Sequence, residues 1–216
     1  MSRVRIYPTA GDLADAVAQE FARAVEQHVH RGIPLFVALS GGTTPAILFR
    51  RLAQSPWQES ISWRRVHFFW GDERCVPPEH PESNFGQADT LLLSHIPIPR
   101  ENIHRIRGEA PAEPEAERYA EEIRRWVPVD ETEVPRFDWI FLGVGEDGHI
   151  ASLFPGSPVL EERKRLCAVA THPHTGQQRI TVTFPVINNA RRILFLVTGA
   201  KKSGVVREIL KGEPTA

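Results

Sequence analysis

Short runs of apolar residues alternate along this chain with segments whose apolar positions recur every three or four residues. The runs at 34–39, 66–70, 137–142, 166–170, 180–184 and 193–197 predict short buried strands. The segment 12–30 puts Leu13, Val17, Phe21, Ala24 and Val25 on one face, which predicts an amphipathic helix. A second helix is predicted over 45–52, with Thr44 as its N-cap and Pro45 in its first position. Further helices are predicted over 83–93, over 115–126 with a charged outer face, and over 201–210 just after Thr198 and Gly199. Strands alternating with helices predict an α/β fold built on a mainly parallel sheet. The proline-punctuated stretches at 77–81 and 96–100 read as turns, not linkers. The acidic stretch 109–117 reads as a loop entering a solvated helix. With no internal repeat or low-complexity segment, one domain over 1–216 is expected.

Composition narrows the class. Charges nearly cancel, 26 basic against 27 acidic residues in 216, so the chain lacks the electrostatic footprint of a nucleic-acid binder. No apolar span reaches the roughly 18 residues a transmembrane helix needs. Aspartates near the N-terminus precede any apolar stretch, so a secretory signal is not expected. Cys75 and Cys167 stand alone, as free thiols in a reducing, cytoplasmic compartment would.

Two glycine-rich turns carry the candidate chemistry. The first follows the strand at 137–142: Gly143, Gly145 and Gly148 let the backbone turn and approach a ligand, and Asp147 and His149 flank the last of them. A carboxylate able to orient an imidazole, at the strand end where an open α/β sheet binds its ligand, outlines a general acid/base site. The glycines also match G-x-G-x-x-G, but no second strand ends in an acidic residue about 20 positions on, so a nicotinamide site is rejected. The second turn runs Ser40, Gly41, Gly42, Thr43, Thr44, Pro45 behind the strand at 34–39. Convergent backbone N–H groups, hydroxyls and a helix N-terminus would cradle a phosphate; an ordinary strand-to-helix turn is the alternative.

Other charged residues are less decided. Asp72, Glu73 and Arg74 follow the strand at 66–70, where crevice residues sit, although a surface ion-pair cluster would look the same. Arg179 precedes the strand at 180–184 and lies at the wrong end for the crevice unless that strand runs antiparallel. Lys201 and Lys202 open the last helix, where cations oppose the dipole; either an anionic partner or solvation explains them. His28, His30, His172 and His174 lack the spacing of a metal set and read as helix-surface and loop histidines.

Taken together, LSGGTTP at 39–45, FFWGDERCVPPEHPESNFG at 68–86, FLGVGEDGHIASLFPG at 141–156, RITVTFPVIN at 179–188 and the Gly199/Lys201 region resemble the 6-phosphogluconolactonase family. That family lies within the glucosamine-6-phosphate deaminase-like sugar-phosphate proteins. The matching segments span 39–201, about three-quarters of the chain. The resemblance implies a Rossmann-like α/β fold, with a mainly parallel twisted sheet and helices on both faces. It implies hydrolysis of 6-phospho-D-glucono-1,5-lactone in the oxidative pentose phosphate pathway, with no metal or other cofactor. The expected partner is the small sugar-phosphate lactone, not nucleic acid or membrane, and the expected state is a monomer or weak homodimer.

His149 is then the expected general base, with Asp147 orienting it and Asp72 supporting the substrate or the site's hydrogen bonds. Ser40, Gly41, Gly42 and Thr43 are expected to hold the phosphate. Arg74 and Lys201 are expected at the phosphate or the developing oxyanion, and Arg179 matches a family position associated with phosphate binding. Deaminases of the larger group carry an acidic residue five positions after the histidine; Phe154 stands there and cannot exchange protons. A sugar-phosphate isomerase or deaminase and a non-catalytic sugar-phosphate sensor are the competing readings. Family members usually continue past the last helix with a strand-like segment and a Trp-containing helix, whereas this sequence ends at 211–216.

Overall fold

The computed structural model describes residues 3–129 and 131–212; the last four residues of the C-terminal stretch lie outside them. The described chain forms α1 (Ala10–His30), β1 (Leu35–Leu39), α2 (Thr43–Leu52), α3 (Trp57–Ser60), β2 (Val66–Trp70), β3 (Asp72–Arg74) and α4 (Asn84–Leu91). It continues with α5 (Ala112–Trp126), β4 (Trp139–Leu142), β5 (Cys167–Thr171), β6 (Gln178–Val182), α6 (Phe184–Asn189), β7 (Ile193–Phe195) and α7 (Ser203–Lys211).

The strands make two sheets. One is parallel, in the order β2-β1-β4-β7; the other is antiparallel, in the order β3-β6-β5. Every residue of β1, β2 and β4 is buried, as expected for parallel strands covered on both faces. The mainly parallel sheet read from the sequence therefore accounts for the strands at 34–39, 66–70, 137–142 and 193–197. The runs at 166–170 and 180–184 go instead to the second sheet, where β6 pairs with β5 on one side and with β3 on the other. Gly71 is the crossing point. Its N–H donates to the Leu39 carbonyl at 2.8 Å and its carbonyl accepts from the Val182 N–H at 2.8 Å, so one residue ties both sheets together.

Alternation along β2 sends its side chains to two different layers. Phe68 faces α1, where fully buried Phe21 meets Trp63, Phe68, Trp139 and Phe141 at centroid distances of 5.8–6.4 Å. His67 and Phe69 face α5, whose Tyr119 hydroxyl accepts from the Trp70 N–H at 2.7 Å and donates to the Trp70 carbonyl at 2.8 Å. Burying a ring such as Phe21 is worth about 1.5–3 kcal/mol, so these two aromatic layers dominate the core. Capping sets where α1 begins: Thr9 Oγ1 accepts from the Asp12 N–H and Asp12 Oδ2 accepts from the Thr9 N–H, both at 3.1 Å. α2 begins differently from the expectation. Its N-cap is Gly42 at φ +108°, a conformation that excludes Thr44 from the cap and puts Pro45 in the third helical position. Thr44 is inside the first turn, and its hydroxyl meets Thr198 Oγ1 at 2.7 Å.

Candidate active site

The parallel sheet's carboxyl edge holds three chain segments: 40–44 after β1, 71–74 after β2 and 143–149 after β4. β1 lies between β2 and β4, so the chain leaves β1 and β4 toward opposite sides, and a crevice opens between their loops. A cleft of about 230 Å³ occupies it, lined among others by Ser40, Gly41, Gly42, Thr43, Asp72, Arg74, Asn84, His149, Arg179, Thr198 and Lys202.

The loop after β4 folds back on itself. The Gly145 N–H donates to the His149 carbonyl at 2.7 Å, and Gly148 makes the reversal at φ +87°. Asp147 Oδ1 then lies 2.6 Å from His149 Nδ1 and 3.2 Å from the His149 N–H. Only glycine fits at 145: a Cβ there would come within 2.1 Å of His149 Nδ1 and 2.4 Å of Asp147 Oδ1. Partial burial raises the Asp147 pKa, but the His149 N–H and imidazole outweigh it and leave the carboxyl below its ordinary range. An ionised Asp147 accepting from Nδ1–H selects the tautomer with its lone pair on Nε2. Nε2 has no hydrogen-bond partner among the described residues, and the ring packs at 4.8 Å against Phe154.

The second sheet supplies the cations. β3 and β6 pair antiparallel with Arg74 directly opposite Arg179. Because β6 runs antiparallel to β3, it carries Arg179 to the crevice. Burial and the neighbouring Arg74 both lower the Arg179 pKa. Arg74 donates to the Glu82 carbonyl at 2.6 Å and Arg179 to Gln177 Oε1 at 3.3 Å, while Arg74 Nε is buried without a partner. Among the described residues neither guanidinium forms an ion pair, and Asp72, Glu82 and Glu73 act on Arg179 only at longer range.

One predicted cation is displaced by a residue. Lys201 is exposed and does not line the cleft; Lys202 does. The reason is the 3-10 turn Ala200–Lys202, entered through Gly199 at φ +91°, which rotates the second lysine inward and the first out to solvent. Ser40, Gly41, Gly42 and Thr43 line the cleft together. The Gly42 N–H donates to Gln87 Oε1 at 3.0 Å.

Asp72 and Glu73 are not a surface pair. Both are buried, Asp72 beside the cleft and Glu73 behind it. Glu73 accepts from the N–H groups of Arg74, Asn84 and Phe85 at 2.7–2.8 Å and from Ser83 Oγ at 3.1 Å. Burial pushes its pKa up against those donors. It anchors the first turn of α4, and with it Asn84 and Gln87, two residues no sequence pattern singled out. Among the described residues, no three His, Cys, Asp or Glu side chains converge as a metal-ligand set.

Similarity to known proteins shows the family. Residues 8–216 match the family model described as glucosamine-6-phosphate isomerases/6-phosphogluconolactonase. A 6-phosphogluconolactonase of Haemophilus influenzae is 47% identical over 203 residues, which are 94% of this chain and 83% of that protein. The solved 6-phosphogluconolactonase of Trypanosoma brucei superposes with a TM-score of 0.87 at 29% identity, over 100% of this chain and 89% of the other. A monomeric glucosamine-6-phosphate deaminase superposes with a TM-score of 0.82 over 99% of this chain and 89% of the other; at 22% identity it shares the fold. The chain belongs to the glucosamine-6-phosphate isomerase/6-phosphogluconolactonase family.

Proposed function

We propose that His149 is the general base of a lactonase. The chain hydrolyses 6-phospho-D-glucono-1,5-lactone to 6-phospho-D-gluconate, a step of the oxidative pentose phosphate pathway. Water attacks the lactone carbonyl at C1 while His149 Nε2 takes its proton. The tetrahedral intermediate collapses with cleavage of C1–O5, and the imidazolium returns the proton to O5. Asp147 holds the tautomer and stabilises the imidazolium that forms between the two steps.

The 2.6 Å contact between Asp147 and His149 Nδ1 at the cleft carries this reading. The phosphate lies at the N-terminus of α2 against Ser40, Gly41, Gly42 and Thr43, with Arg74, Arg179 and Lys202 supplying the positive charge there and at the developing oxyanion. Asp72 orients substrate hydroxyls from the opposite wall. Phe154, buried against the His149 ring, offers no proton-transfer group for isomerase or deaminase chemistry. The reading includes one domain over 1–216 acting as a monomer or weak homodimer. It also includes a cytoplasmic location, supported by the free thiols of Cys75 and Cys167.

The test is hydrolysis of freshly generated 6-phosphogluconolactone with the uncatalysed rate subtracted and His149→Ala run alongside. Fast turnover that collapses in the variant is expected. Unchanged turnover in the variant removes His149 from the mechanism.

A further inference from the structure

The reacting groups come from two separate sheets. His149 hangs from β4 of the parallel sheet, whereas Asp72, Arg74 and Arg179 belong to the antiparallel one. Their relative position therefore depends on what joins the loop after β4 to β3 and β6. Ser152, three residues beyond His149, makes that joint. It is fully buried. Its hydroxyl donates to Asp72 Oδ2 at 2.7 Å, across 80 positions of sequence. Its N–H donates to Thr181 Oγ1 at 3.3 Å, and Thr181 is the residue directly opposite Asp72 in the β3–β6 register.

The other Asp72 oxygen is occupied as well. Asn84 Nδ2 reaches Oδ1 at 3.3 Å and the Asp72 carbonyl at 2.9 Å. A carboxylate with both oxygens held by buried donors cannot rotate, and a loop bonded through both side chain and backbone cannot slide along the sheet. Between Ile150 and Leu153 the chain closes a bridge, with Ala151 at φ +48°, so the segment from His149 to Ser152 is short and bent. A shift at Ser152 is passed to His149 with little slack.

We infer that Ser152 is a positioning residue for the hydrolysis: through its bond to Asp72 it sets the His149 loop in register with the second sheet, with Asn84 holding the far side of the same carboxylate. Ser152 touches neither substrate nor reacting atoms in this scheme. It acts on the geometry of the chemical step and not on the phosphate grip, which is built from other residues.

The inference rests on His149 and Asp72 acting as proposed above, and a double-mutant cycle separates the two. Removing the Ser152 hydroxyl should lower kcat roughly ten- to a hundredfold, the scale of a small misplacement of reacting groups, while KM moves less than about threefold. In the Asp72→Ala background, Ser152→Ala should cost less than about a further twofold, because the group it positions is gone. All rates are taken per folded molecule, with the folded fraction measured by chemical unfolding. Should Ser152→Ala fold poorly, Ser152→Thr and Ser152→Val replace it: they have nearly the same shape, and only Thr keeps the hydroxyl. Thr is then expected to retain several-fold more kcat than Val. Independent, multiplicative losses in the cycle overturn the inference. So do equal kcat values for Thr and Val, or a Ser152→Ala variant that is less stable but unimpaired per folded molecule. A fully active His149→Ala overturns the assignment of the base instead and leaves the Ser152–Asp72 coupling to be read from the cycle.

Discussion

Two histidine–carboxylate pairs in this molecule have nearly the same geometry and opposite surroundings. His149 Nδ1 lies 2.6 Å from Asp147, with the two side chains 26% and 40% exposed at the cleft. His104 Nδ1 lies 2.7 Å from Glu122, but its side chain is only 3% exposed. The second nitrogen decides what each pair can do. In His149 it is unbonded beside a cleft. In His104 it meets His67 Nδ1 at 3.0 Å, and the ring stacks on Phe69 at 4.2 Å and tilts against Trp126 at 5.0 Å. An imidazole with every polar atom satisfied in an aromatic box has no route to a water or a substrate. Contact distance alone thus says nothing about catalysis; access to the free nitrogen does.

The sharpest way to break the comparison is to delete each imidazole. His149→Ala should lower kcat by roughly 10²- to 10⁴-fold with the unfolding midpoint nearly unchanged. His104→Ala should do the reverse. It leaves a cavity and strands His67 and Glu122, so a loss of roughly 3 kcal/mol of stability is expected in urea unfolding, with kcat per folded molecule unaltered. If His104→Ala instead impaired turnover of folded enzyme, the division into a working pair and a structural pair would be wrong.

Asp147→Asn makes a finer cut. The amide can present its NH₂ group to Nδ1 and favour the unproductive tautomer, so kcat should fall roughly tenfold or more while KM stays close to normal. Steady-state kinetics on the variant decide this, and a change confined to KM would assign Asp147 to binding.

The smallest expected effect is the acid response of the buried pair. Burial, then the neighbouring His104, push the His67 pKa down from 6.5 to about 4, against an opposing pull from Glu101. Burial likewise lowers His104, opposed by Glu122 and assisted by Arg118 and Arg125. The unfolded chain therefore takes up protons that the folded chain refuses. The contribution of His67 is full above pH 6.5, is lost as pH falls through 6.5, and stops declining below about 4. For His67 the whole effect is about 3 kcal/mol at most. Urea unfolding of His67→Phe between pH 7 and pH 5 should show a smaller drop than the unaltered chain; an equal drop would mean that other groups carry the acid sensitivity.

Particular residues show how far the sequence could be read. The buried strands after which the cleft opens were legible because a parallel strand covered on both faces leaves an unbroken apolar run, as at 35–39 and 66–70. Asp147, Gly148 and His149 were legible because a local turn holds them, with every contact inside five residues. Glu73 was not: a buried carboxylate that caps α4 and an exposed one in an ion pair are the same letter in a charged trio. Asn84, Gln87 and Ser152 were missed for the same reason, since each acts through a partner between 12 and 80 positions away. The exchange of Lys201 for Lys202 turns on one glycine dihedral, which adjacent identical letters cannot reveal.

By itself, then, the sequence determined the alternation of strands and helices, the two glycine turns and the Asp147–His149 pairing within one of them, because these depend on local backbone freedom and on the period of apolar residues. Only the tertiary structure decided that β3, β5 and β6 leave the parallel sheet, that antiparallel pairing sets Arg179 opposite Arg74, and that Ser152 and Asn84 hold Asp72 between them. Those outcomes depend on strand direction and on hydrogen bonds between distant segments, and neither leaves a periodic trace along the chain.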